Sequence, residues 1–139
     1  MRSVTRHIVD VPTDLFSVCL CYASSVEPLC LDELDDAALD RLPSGVVCLS
    51  PAGTIERYNR VESERAGIQR WRALGRDYFH DVAIRDGVAL AKYVAELPTE
   101  GHARVFHTLR GAHGADDAVI DISRCGAGRV TLCIRTERA

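Results

Sequence analysis

No basic block runs along this chain, and no stripe interleaves aromatic with basic side chains. The formal net charge is −3. Such a balance offers nothing to track a phosphate backbone, so nucleic acid is not an expected partner. Apolar runs stay far short of the roughly 20 residues a membrane helix requires, so no membrane partner is expected. The stretch from Phe16 to Ala23 has the length of a signal core. Asp10 and Asp14 precede it where a signal would carry basic residues, which argues for a cytoplasmic protein. Cysteine is plentiful, with six residues, but no CxxC pair and no Cys/His group has zinc spacing. Cys19, Cys21, Cys30, Cys48, Cys125 and Cys133 therefore read as small hydrophobes in a reducing compartment. No metal is expected. Nucleotide loops are missing too, because Gly111, Gly114, Gly126 and Gly128 separate strand candidates and none opens a helix.

What remains is one domain's worth of chain. At 139 residues and 47% hydrophobic content it can bury a core. Residues 1–30 show neither helical periodicity nor clean alternation. They read as an N-terminal arm whose order the sequence does not decide, packing on the domain or a partner through Leu15, Phe16, Val18 and Leu20. Residues 31–139 read as the domain. Leu31, Leu34, Ala38, Leu39 and Leu42 fall on one face of a short helix. Val46 to Leu49 and Thr54 to Tyr58 flank a turn at Pro51-Ala52-Gly53. Asn59 is placed to cap a helix from Arg60 to Ala66, and Gly67 to end it. Trp71, Leu74 and Gly75 suggest a brief helical turn, and Val88 to Leu97 a longer helix. Three strand candidates follow, Ala103 to Leu109, Ala118 to Cys125 and Arg129 to Thr136, with Gly111 to Asp117 and Gly126 to Gly128 between them. Five strands with helices grouped between the second and third make an α+β class with an antiparallel sheet.

The segment from Leu42 to Ala83 carries the most specific pattern. It reads Gly45-Val46-Val47-Cys48-Leu49, then the turn at Ser50-Pro51-Ala52-Gly53, then Thr54-Ile55-Glu56-Arg57-Tyr58-Asn59, with Glu62 four residues past Tyr58. It closes on Gly75-Arg76-Asp77-Tyr78-Phe79-His80-Asp81-Val82-Ala83. This resembles the photoactive yellow proteins, light sensors of the PAS fold, and Leu31 to Leu42 is similar to their lead-in. The resemblance implies a five-stranded antiparallel sheet with short helices over one face and a ligand pocket between them. It also implies that Tyr58 and a buried, protonated Glu62 contact the phenolate of a thioester-linked 4-hydroxycinnamoyl group. The thiol that would carry that group follows an Asp-Val-Ala-Pro run in the family. Here the run is Asp81-Val82-Ala83-Ile84 and the next residue is Arg85. No covalent chromophore is expected. Ala66 stands where the family has a Thr behind the Tyr, and Ile68 where it has a gating Arg. Haem and flavin are not expected either: Val88 to Leu97 holds no axial His, and an Asn-Cys-Arg motif is missing.

The candidate ligand-binding residues are therefore Tyr58, Glu62 and Arg85, with no catalytic residue assigned. Each has a plainer reading. Tyr58 can be core packing, Glu62 can share the wet face of its helix with Glu64 and Arg65, and Arg85 can extend into solvent beside Asp86. Otherwise Arg85 enters the pocket and pairs with Glu62 or with an anionic ligand. His102, His107 and His113 read as sheet or surface positions. The expected function is a sensor or protein-interaction domain that binds a small aromatic, phenolic molecule reversibly. Its signal would leave through association, as a homodimer or with a partner protein. Two alternatives stand beside this: a ligand-free PAS dimerisation scaffold, and a small acid/base enzyme built on Tyr58 and Glu62.

Overall fold

The computed structural model describes residues 34–98, 101–124 and 126–136. The expected N-terminal arm, and Cys19, Cys21, Cys30 and Cys125, lie outside the described residues. Helices α1 (Asp36–Asp40), α2 (Arg60–Ala66), α3 (Arg70–Ala73) and α4 (Gly87–Ala95) accompany strands β1 (Gly45–Leu49), β2 (Ile55–Tyr58), β3 (His102–Gly111), β4 (Gly114–Arg124) and β5 (Val130–Thr136). All strand pairs are antiparallel, and the sheet order is β2-β1-β5-β4-β3. Among the described residues no helix is long and apolar enough to cross a membrane.

Burial follows the two-residue strand period until both faces are covered. Val47, Leu49, Val105, Ile120 and Leu132 point to the helical side and form the main core with Leu90 of α4. Burying a side chain such as Leu90 contributes about 1.5–3 kcal/mol. On the opposite face Val46, Cys48 and Cys133 pack with Leu39 and Leu42. Every residue of β1 is buried for that reason, and Gly-Val-Val-Cys-Leu reads as a run with no alternation. The same outer face holds Arg104, a direct cross-strand partner of Asp121. Arg104 is 1% exposed, with Nε 2.7 Å from Oδ1 and Nη2 3.1 Å from Oδ2. Burial pushes the Asp121 carboxyl up, against the pull of Arg104.

Helix boundaries follow local chemistry. Asp35 caps α1 by accepting from the Ala38 amide at 2.8 Å. The helix is shorter than the expected Leu31–Leu42 stripe within the described residues. Val88 lies on the wet side of α4 at 87% exposure, while Leu90 faces the core and Val94 and Leu97 pack against it. One expectation needs correction: Gly111 to Asp117 is mostly strand. The ladder runs to a Gly111↔Gly114 pair, and Ala112 and His113 make the turn. Gly114, at φ +106°, takes the backbone shape that leads out of such a turn.

Asp40 ties the first helix to the site region. Its Oδ1 accepts from the Arg60 amide at 2.8 Å and from Arg70 Nη2, while Arg70 Nε donates to the Tyr58 carbonyl at 2.8 Å. The Arg70 hydrogen bond, aided by the Arg60 amide, holds the Asp40 carboxyl below its ordinary value despite partial burial. A lowered carboxyl binds its proton less readily folded than unfolded. Its contribution is therefore present above the unfolded value near 3.8 and is lost as pH falls through the folded one. Asp40→Asn is expected to flatten the acid limb of stability as pH falls below about 4. Thermal midpoints of the two proteins that fall in parallel over that range would rule this out.

Candidate ligand cavity

Tyr58 ends β2, and the chain must turn there for Glu62 to point inward. Asn59 makes that turn. Its Oδ1 accepts from the amides of Val46 at 2.8 Å and Glu62 at 3.1 Å, and its Nδ2 donates to the carbonyls of Leu39 at 2.8 Å and Ser44 at 3.0 Å. One buried amide thus joins β1, α1 and the first turn of α2. Gly67, at φ +76°, ends α2 by donating its amide to the Ser63 carbonyl.

The inward turn carries Glu62 under β1, where it is 1% exposed. A Cβ at position 45 would lie 2.4 Å from Glu62 Oε1, so glycine at that position makes room for the carboxylate. Glu62 has a charged partner that the resemblance did not imply. Arg65, one helical turn on, meets it through two hydrogen bonds, Nε to Oε1 at 2.9 Å and Nη2 to Oε2 at 2.6 Å. Such a bidentate pair is among the stronger charge-assisted contacts. The Arg65 side chain is 12% exposed. Burial works against its charge, but the bond to Glu62 and the Glu62 charge raise its pKa overall. The β3–β4 turn packs on the same residue. Ala112 donates its amide to the Arg65 carbonyl at 2.9 Å, and a Cβ on Gly111 would meet that oxygen at 2.4 Å and Nη1 at 3.1 Å.

Two polar atoms remain without partners there. The Tyr58 hydroxyl and Arg65 Nη1 are buried and make no hydrogen bond. Both residues line a cavity of about 40 Å³, together with Glu62, Ile68, Tyr78 and Leu109. Burial, and then the Glu62 charge, push the Tyr58 hydroxyl well above its ordinary pKa, with Arg65 opposing. Tyr78 is raised for the same first two reasons. Both phenols thus stay protonated and keep an O–H to offer. Ala66, Val82, Ala83, Asp86 and Arg110 form the walls shared with an outer groove of about 430 Å³. Arg85 lines the groove and is exposed.

The structure therefore brings Tyr58 and Glu62 together and leaves Arg85 at the mouth, beside Asp86. The ion-pair role considered for Arg85 is filled by Arg65. Sequence reading missed Arg65; its signal was the three-residue spacing from Glu62, which puts both on one helical face. Asp86 was missed as well. Its Oδ2 accepts from the Arg110 amide at 3.0 Å, and its Oδ1 lies 3.7 Å from His107 Nε2. His107 Nδ1 is in turn 3.2 Å from the Tyr93 hydroxyl, so this histidine joins the cavity mouth to α4.

No protein-family model matches the chain, and no curated protein sequence matches it. Solved structures do. The photoactive yellow protein domain of the sensor histidine kinase Ppr from Rhodospirillum centenum is 26% identical over 76% of this chain and 96% of its own, with a TM-score of 0.60. The PAS domain of an HTR-like protein from Haloarcula marismortui is 15% identical, covering 73% of this chain and 87% of its own, with a TM-score of 0.59. The PAS domain of the Cronobacter turicensis quorum-sensing receptor RpfR, solved in complex with BDSF, is 14% identical, covering 68% and 94%, with a TM-score of 0.50. The chain has the PAS fold.

Proposed function

We propose that this chain is a sensory PAS module that takes a small phenolic acid reversibly, without a covalent bond. The observation that carries the reading is the pair of buried donors with no acceptor, Tyr58 Oη and Arg65 Nη1, beside one cavity. Unpartnered buried donors are costly, and a ligand oxygen relieves both at once. The phenol oxygen enters the inner cavity, and the acid group lies in the outer groove near Arg85 and Arg110. The likeness to a photoactive yellow protein domain supports the pocket's location, and the RpfR domain is a PAS domain solved with a ligand. At about 40 Å³ the inner cavity admits an oxygen but not a ring. Binding must therefore displace the half-buried Val82 and Ala83, and the ligand selects an opened packing of the segment Tyr78–Val82. That shift changes the surface presented to a partner or a second copy of the chain.

The expected result is saturable binding of 4-hydroxycinnamate with Kd on the order of 0.1 mM, measured by calorimetry. Tyr58→Phe should weaken it by roughly 2–12-fold, the worth of one hydrogen bond. Arg85→Ala should change it by less than about fivefold, because an exposed ion pair contributes little. The small cavity also favours a second reading, a scaffold that fills its own pocket and acts by dimerisation. Absence of binding at millimolar ligand, with a stable dimer by sedimentation equilibrium, would put that reading first.

A further inference from the structure

We infer that Arg65 and Glu62 together make this site select the neutral, protonated form of a phenol and exclude the phenolate. The inference rests on the phenol-binding reading above and adds the charge state of the ligand and the residue that reads it. Three charged side chains belong to the inner cavity, Glu62 and Arg65 from α2 and Asp86 from the start of α4; Arg110 of β3 is exposed and meets Asp86 through its backbone amide. Two carboxylates thus face one buried guanidinium, so the lining holds no spare positive charge to offset an added anion. The closest cation, Arg65, already has two of its donors on the Glu62 carboxylate. A phenolate would be a second anion competing for one buried guanidinium, and an uncompensated buried charge is expensive.

The hydroxyl of a neutral phenol matches the unpartnered donors atom by atom. Its oxygen accepts from Tyr58 Oη and Arg65 Nη1, the two donors without partners. Its own proton goes to Glu62, because each carboxylate oxygen keeps a further lone pair after accepting from Arg65. Tyr78, the other titratable group on the lining, is a neutral phenol and adds no charge. Both glycine contacts fit a built site, since position 45 clears space for Glu62 Oε1 and position 111 for Arg65 Nη1.

The test uses 4-nitrophenol, which ionises near neutral pH and is yellow only as the phenolate. Calorimetry and absorbance are followed from pH 5.5 to 8.5 on the full chain. 4-Methylphenol, which stays neutral over this range, carries the protein's own pH dependence, including any from His107 beside Asp86. Relative to that control, affinity should fall about tenfold per pH unit above the ligand's ionisation, with bound ligand colourless throughout. Glu62→Gln, which frees the Arg65 charge, should raise phenolate affinity at least about tenfold relative to the phenol and turn bound ligand yellow. If this variant does not fold, the wild-type profile decides by itself. Yellow bound ligand in the wild type, or affinity that rises with pH, overturns the inference and leaves the phenol site standing. No saturable binding of 4-nitrophenol or of 4-hydroxycinnamate removes both.

Discussion

Replacing Glu62 with alanine is expected to destabilise the domain by about 3–5 kcal/mol, because it leaves the Arg65 guanidinium buried without its carboxylate. Both oxygens of Glu62 accept from Arg65, and neither side chain has more than slight access to water. The loss therefore reflects an orphaned charge more than a lost attraction. That distinction can be measured. The double replacement Glu62→Leu with Arg65→Met removes both charges and fills similar volume, and it should recover most of the stability. Urea unfolding of wild type, Glu62→Ala and the double variant separates the cases. A single variant that loses less than about 1 kcal/mol would mean that Arg65 finds water through the groove, and the inner cavity would then be wet and open.

The ion pair also shows where sequence reading stops. The limits of α2 were legible, because an amide cap at Asn59 and a glycine at Gly67 are local signals that each satisfy a named backbone group. Which side of that helix faces the sheet was not legible. Glu62, Glu64 and Arg65 fall within four residues, and a helix of seven residues is too short for its apolar spacing to fix a face. Tertiary packing decides it: Glu64 is exposed and paired with Arg60, while Glu62 and Arg65 turn inward together. Arg104 makes the same point in a strand. Alternation marks it only as opposite to Val105, and its burial depends on Asp121 arriving from β4 in register. The β3–β4 turn was read too long because Asp116 and Asp117 are polar. In the sheet they are ladder residues, and Asp117 accepts from the Thr108 hydroxyl across the strands at 2.9 Å. Polar strand ends and loops share a composition, so only pairing separates them.

The second large effect is expected at Asn59. Asn59→Ala removes the cap of α2, worth about 0.5–2 kcal/mol, and it also takes the Asn59 partner from the Val46 amide and from the Leu39 and Ser44 carbonyls, of which Leu39 keeps the Leu42 amide at 3.2 Å. Each buried backbone group left unsatisfied costs about 1–3 kcal/mol, though water entering the hole offsets part of it. A net loss on the order of 3–5 kcal/mol follows, against a total stability of roughly 5–15 kcal/mol for a domain of this size. Two milder variants divide the effect. Asn59→Asp keeps the acceptor for Val46 and Glu62 but loses both donors and brings a negative charge against two carbonyls. Asn59→Ser keeps the cap and cannot span to Leu39 and Ser44. If the amide acts as the joint between strand and helix, both should fall between wild type and alanine. They should also lose 4-hydroxycinnamate binding at temperatures where circular dichroism shows them folded, because Glu62 and Arg65 take their aim from this turn. Serine matching wild type in both stability and binding would reduce Asn59 to an ordinary helix cap, and the aim of Glu62 would then have to come from Gly45 and the packing of β1.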